Sequence, residues 1–338
     1  MAATMTRKGF LAGAGAAGAL ALGPRPARAA RQTVIKLGLD LAADHPTTVH
    51  AMAAAARIKA ATDDAVRLDV FPNSELGDDT HMLSEVRSGA IQMMAIGDNI
   101  LSSLVPAAAI SNVGFAFKSA QTAWQALDGT LGDAVRADIE KAGLHPMHSI
   151  WDEGFRQVTT SEKAVRTPDD LKGFKIRVPP SPISLSLFQA LGAAPATINI
   201  AGLYTALQTH VVDGQENPLG NIETQKLYQV QKTVSLTNHM WVGYWMLMNG
   251  PFWKNLPAAQ QSAVADAFDA EAPLQRQANQ TLDDSLEATL RSQGMTFETV
   301  DRAQFVAALK QAGFYKEWQT KFGPERWAAL ETVTGSLT

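Results

Sequence analysis

The chain has 338 residues, is 46% hydrophobic and 18% charged, and carries a formal net charge of −4. At about 100–200 residues per domain that length suggests two domains, and the absence of any long basic run argues against nucleic acid as a partner. With no cysteine, disulfides, thiolate metal sites, a cysteine nucleophile and a lipid-anchored N-terminal cysteine are excluded, and the seven histidines lack zinc spacing.

Residues 1–29 read as a signal peptide. They hold Arg7, Lys8, Arg25 and Arg28 and no acid, and Phe10 to Gly23 is uncharged. That run is too short for a bilayer, which needs about 20 apolar residues. Ala27-Arg28-Ala29 fits a small-x-small cleavage site. Thr6-Arg7-Lys8-Gly9-Phe10-Leu11 is similar to a twin-arginine signal with lysine in the second basic place, which leaves the export route open. Removing the segment leaves 25 bases against 33 acids, a charge of −8. Gly13-Ala14-Gly15-Ala16-Ala17-Gly18 spells a dinucleotide fingerprint, but it lacks the strand before and the helix after that would bring a helix N-terminus to pyrophosphate.

The rest alternates between strand and helix patterns. Val34 to Leu39 reads as a buried strand, and a helical stretch follows His45-Pro46. Val66, Leu68 and Val70 alternate as a second strand, Asp78 to Arg87 suggests a helix, and Ile91 to Ile96 a third strand. Such alternation implies a parallel sheet covered on both faces. Gly143 to Trp151 predicts another strand, and Thr167-Pro168 opens a short helix with Thr167 as N-cap. Lys175 to Val178 is a strand stopped by Pro179-Pro180. Ser184 to Leu191 and Leu203 to Thr209 are helical, the second leading into Val211-Val212-Asp213. Trp245 to Met248 reads as a strand. Pro257 to about Gln293 is one helical pattern of roughly 55 Å, long enough to run across both domains.

In open α/β sheets ligands sit outside the carboxyl ends of strands, and the uncommon polar and aromatic residues cluster there. They are Asp40; Asp98 and Asn99; Trp151, Asp152, Glu153 and Arg156; Arg177; and Gln215, Glu216 and Asn217. Arg177, between Ile176 and Val178, needs a planar acid partner, and its guanidinium can grip a carboxylate with two parallel hydrogen bonds. Chemistry alone serves a ligand carboxylate and an internal salt bridge equally. A secreted two-domain α/β enzyme is the other class considered. No phosphate loop, Gly-x-Ser-x-Gly elbow or His-Glu-x-x-His supports it, and acids adjacent in sequence, such as Asp152-Glu153, point apart.

An ordered set of segments resembles the periplasmic solute receptors of tripartite ATP-independent periplasmic (TRAP) transporters, the DctP-like family. The set is Phe71-Pro72-Asn73-Ser74-Glu75-Leu76-Gly77-Asp78-Asp79, Gly154-Phe155-Arg156-Gln157-Val158-Thr159-Thr160-Ser161, Leu171-Lys172-Gly173-Phe174-Lys175-Ile176-Arg177-Val178-Pro179, Ala206-Leu207-Gln208, Val212-Asp213-Gly214-Gln215-Glu216-Asn217-Pro218 and Thr237-Asn238-His239. The resemblance implies an α/β periplasmic-binding-protein fold of two domains, with the ligand cleft between them and a long helix spanning both. Domain I would comprise residues 30–152 plus about 243–282, and domain II 153–242 plus about 283–338. It implies a monomeric, non-enzymatic periplasmic receptor without cofactor or metal, which closes on an organic acid and delivers it to the small and large membrane subunits of a permease. A third reading is the binding protein of an ATP-driven importer. By the resemblance Arg177 pairs with the ligand carboxylate, and Arg156 and Asn217 assist. Asp98, Asp40, Glu216 and the rings Trp151 and Trp241 complete the expected site. Carboxylates accept from hydroxyls and flat rings pack on C–H faces, which suits a sugar acid or hydroxy acid. The rival is an aromatic or branched monocarboxylate. Gly97-Asp98-Asn99 lacks the Glu and Arg of sialic-acid receptors.

Overall fold

A first sheet takes shape from β1 (Thr33–Gly38), β2 (Val66–Phe71) and β3 (Met93–Gly97), which pair in parallel in the order β2-β1-β3. The computed structural model describes residues 32–338; the signal-peptide reading and the glycine fingerprint lie outside them. Between these strands run α1 (Pro46–Ala61) and α2 (Asp79–Ser88). His45 caps α1, its Nδ1 accepting from the Thr47 amide at 3.2 Å. Asp78 caps α2 by accepting from the His81 amide at 2.9 Å, which sets Asp79 as the first helical residue. A short helix, α3 (Asp98–Leu101), follows β3 directly.

The expected Gly143–Trp151 strand is two strands, β4 (Leu144–Pro146) and β5 (Trp151–Phe155). Pro146 has no N–H for a ladder and ends β4. The chain then enters a second sheet. It is built from β6 (Gln157–Thr160), β7 (Lys175–Val178), β8 (Ala194–Thr197), β9 (Gly214–Asn217) and β10 (Thr233–Leu236), and completed by β12 (Thr296–Thr299) in the order β12-β10-β6-β9-β7-β8. β11 (Trp241–Asn249) returns to the first sheet. Because it arrives from the second lobe, β11 runs antiparallel to β3, β4 and β5. Both sheets are therefore mixed, where the alternating pattern predicts a parallel one. Val211–Asp213 stays outside the ladder, and the strand that carries Gln215, Glu216 and Asn217 begins at Gly214. His210 (φ 56°) ends the preceding helix in the left-handed region, and Val211 is exposed.

The 35-residue helix Ala258–Ser292 spans about 52 Å. It reaches both lobes: Val264 and Phe268 pack in the apolar cluster of β1 and β3, and Leu290 packs with Leu207 and Val234 against the second sheet. Pro273 inside it removes one N–H from the ladder. One apolar cluster passes from Met82, Ile96 and Trp241 to Val158, Ile176 and Leu187, so the two lobes share a core. Among the described residues no helix is long and apolar enough to cross a membrane.

Candidate functional site

One cavity lies where strand ends of the two sheets face each other. Asp40, Asp79, Asn99, Ile100, Glu153 and Tyr244 line it from the first-sheet side, and Arg156, Arg177, Pro179, Ile200, Asn217 and Asn221 from the second. About 270 Å³ between these side chains is free of atoms.

Arg177 sits at the carboxyl end of β7 and is 1% exposed. Its Nε donates to the Ile198 carbonyl at 2.7 Å, which fixes the plane of the guanidinium, and its Nη1 has no partner among the described residues. Arg156 is held far more completely. Its Nε donates to Glu216 Oε2 at 2.5 Å, its Nη2 to the Glu216 carbonyl at 2.7 Å and to Asn217 Oδ1 at 2.9 Å, and its Nη1 to Glu153 Oε2 at 3.3 Å. His239 braces Glu216 from behind with Nε2 at 3.1 Å from Oε2, and its Nδ1 lies 2.8 Å from Thr237 Oγ1.

Glu153 reaches the cavity through a bulge. Against β11, Val242 pairs with Gly154 and Gly243 with Asp152, so Glu153 has no cross-strand partner and is re-aimed. Gly154, at φ 113°, supplies the backbone that the turn demands. Glu153 Oε1 accepts from Asn221 Nδ2 at 2.8 Å. Asp40 accepts from the Tyr244 hydroxyl at 2.9 Å.

Five polar atoms in this cavity are buried without a partner among the described residues: both Asp79 carboxyl oxygens, Asn99 Nδ2, Arg177 Nη1 and Asn221 Oδ1. An unsatisfied buried polar atom costs about 1–3 kcal/mol, so such atoms are rare and their convergence marks a place built to meet a polar ligand. A larger pocket, with about 970 Å³ free of atoms and bordered by Asp152, Gly154 and Asp283, holds one such atom, Asp283 Oδ1. Among the described residues no group of His, Asp or Glu could hold a metal ion.

Burial sets the electrostatics. Desolvation, with the neighbouring Arg156 charge, pulls Arg177 down to about 10, so it stays a cation at neutral pH. Desolvation and the Asp40 charge push Asp79 well above the usual carboxyl range, and desolvation raises Asp40 against the Tyr244 hydrogen bond. Glu216 is the exception: burial pushes it up, but the Arg156 charge and His239 hold it low. Glu153 is raised by burial from 4.5 to about 8 despite Arg156. Between those values the folded chain keeps a proton that the unfolded chain has released, so stability falls as pH rises across the interval. The thermal midpoint is expected to drop by several degrees from pH 5 to pH 8, and Glu153→Gln to flatten that slope. An unchanged slope in the variant would mean that Glu153 is ionised throughout.

Of the expected site residues, Arg177, Arg156, Asn217 and Asp40 line this cavity, and Glu216 stands behind Arg156. The other three lie away from it. Asp98 turns inward at the start of α3, where its carboxylate takes hydrogen bonds from Ser111 Oγ at 2.6 Å, Asn112 Nδ2 at 2.7 Å and the Gly243 amide at 3.3 Å. Its neighbour Asn99 occupies the cavity wall instead. Trp151 is fully buried against Phe268, ring centroids 5.9 Å apart. Trp241 donates to Asp152 Oδ1 at 2.8 Å and packs edge-on against Phe117. These two rings are core. Asp79, Tyr244 and Asn221 were not expected. The Gly77-Asp78-Asp79 sequence held a clue: an N-cap aspartate followed at once by another acid leaves the second free to point elsewhere.

The model of the family "Bacterial extracellular solute-binding protein, family 7" (DctP) matches residues 37–320. The chain belongs to this family. Its members are non-enzymatic receptors, and the two-lobed α/β fold accords with it. The 2,3-diketo-L-gulonate-binding periplasmic protein YiaO of Escherichia coli is 37% identical over 210 residues, 62% of this chain and 64% of that protein. An uncharacterised Sinorhizobium fredii protein is 37% identical over 308 residues, 90% of this chain but only 56% of that longer protein. Among solved structures, a TRAP periplasmic solute-binding protein from Roseobacter denitrificans with bound L-galactonate has a TM-score of 0.83 at 29% identity, covering 90% of this chain and 99% of that one.

Proposed function

We propose that this DctP-family receptor captures a carboxylate-bearing organic acid, a sugar acid or hydroxy acid, in the cavity between its two sheets. Arg177 is the anchor. A buried guanidinium with Nε committed to Ile198 and Nη1 unpartnered is oriented and waiting for a planar anion, and this observation carries the reading. Arg156, locked by Glu216, adds charge without moving, and Asn217 completes the polar wall. No aromatic ring other than Tyr244 borders the cavity, which disfavours an aromatic monocarboxylate.

The lobes act as two domains, 30–152 with about 243–282 and 153–242 with about 283–338, closing on the acid. After loss of residues 1–29 the receptor works in the periplasm as a monomer and hands its ligand to the small and large membrane subunits of a TRAP permease. A thermal-shift screen tests the binding reading. Sugar acids and hydroxy acids should raise the melting temperature, and the corresponding neutral polyols should not. Equal stabilisation by the neutral polyols overturns it.

A further inference from the structure

The cavity is richer in acid than an anion-binding site requires. Three carboxyls, Asp40, Asp79 and Glu153, line it beside two guanidiniums, and Arg156 is already paired with Glu216 and Glu153. Glu153 is engaged by Asn221 and Arg156, and Asp40 by Tyr244. Asp79 is engaged by nothing: both its oxygens are buried and unpartnered, at the first residue of α2. Asp79 and Arg177 share the cavity wall yet form no ion pair with each other, so a ligand that holds Arg177 meets an Asp79 not already neutralised by it.

We propose that Asp79, with Asp40, is a charge filter that admits polyhydroxy monocarboxylates and rejects dicarboxylates of the same length. The proposal rests on the reading of Arg177 as the carboxylate anchor. With one ligand carboxylate on Arg177, a second would meet the Asp79 carboxyl: ionised, Asp79 repels it, and the diacid is tolerated only while Asp79 keeps the proton that burial favours, so the discrimination grows as pH rises. In a buried site that mismatch leaves both groups desolvated and unpaired, which is how sites reject close analogues strongly. The other orphaned atoms favour hydroxyls over an ammonium group. Asn99 Nδ2 is a donor in need of an acceptor, whereas the Asp79 oxygens and Asn221 Oδ1 are acceptors. A hydroxyl both donates and accepts, and an ammonium only donates.

The test compares acids that share a carbon skeleton and differ only at the far end: galactonate with galactarate, and erythronate with tartrate. Calorimetry on the wild-type chain should show at least one aldonate binding about tenfold or more tighter than its diacid. Asp79→Asn keeps the shape and removes the charge, so it should weaken the aldonate and narrow that ratio. Asp40→Asn serves as a second variant, and ligand-free melting curves establish that each variant is folded. A diacid that binds wild type within about threefold of its aldonate overturns the filter. So does a ratio unchanged in both variants, or a panel in which no aldonate binds. Arg177→Lys, measured on whichever acid binds, reports on the anchor separately: loss there with an unchanged aldonate-to-diacid ratio in the aspartate variants removes the filter and leaves the anchor standing.

Discussion

Arg177→Lys is expected to weaken binding of the cognate acid by about 2–5 kcal/mol, enough to abolish it at ordinary concentrations, although the charge is kept. The guanidinium uses one edge to hold itself and another to hold the ligand. Nε donates to the Ile198 carbonyl at 2.7 Å, and Nη1 stays unpartnered at the cavity wall. Lysine is a point charge on a flexible stem and cannot do both. If its ammonium turns to Ile198, the ligand loses its anchor; if it turns to the ligand, the Ile198 carbonyl is orphaned. Arg156 cannot substitute, because Glu216, Asn217 and Glu153 already take up its donors. Calorimetry on a stabilising acid checks this, with a ligand-free melting curve to show that the variant is folded. Affinity within about threefold of wild type would remove Arg177 from the anchor role.

What was legible in the sequence follows a physical division. Apolar periodicity reports which face of an element is buried, so strands such as β1, β2 and β7 and the long helix Ala258–Ser292 could be read directly. Strand direction depends on where the chain has been in between. The antiparallel direction of β11 is therefore invisible locally, whereas Pro146, with no N–H for a ladder, marked in the sequence where the expected Gly143–Trp151 strand divides. The site divides in the same way. Arg177 stands out because a cation inside an apolar strand has few uses. Asp98 and Asn99 are neighbours at the end of one strand, and only the turn into α3 decides that the amide faces the cavity while the acid faces Ser111 and Asn112. Glu153 owes its place to a bulge that exists only in register with β11. The tryptophans misled for a general reason: a large ring is at home in a core, and the Nε1 of Trp241 finds its acceptor there in Asp152.

Ligand is expected to compact the molecule. A chain of this length, fully closed, should have a radius of gyration of about 20 Å, and the ligand-free protein should scatter with a measurably larger value. The cavity wall comes half from each lobe, so an acid anchored on Arg177 that also engages Asp79 binds the closed form better than the open one. A ligand shifts such an equilibrium only by that difference in affinity. Closure also makes contacts that the ligand does not touch. Asn199 Nδ2 donates to Thr80 Oγ1 at 3.3 Å between the lobes, and His45 faces Gly220. The helix Ala258–Ser292 reaches both sheets and must bend as they approach, and Pro273, with its missing hydrogen bond, gives it a place to do so. In solution scattering Arg177→Ala should remove both binding and compaction, and Asp79→Ala should weaken both. Asp98→Ala, which empties a hydrogen-bonded core position, should lower the melting temperature while leaving compaction by saturating ligand in place. If saturating ligand leaves the wild-type curve unchanged, the lobes do not clamp, however tightly the acid is held.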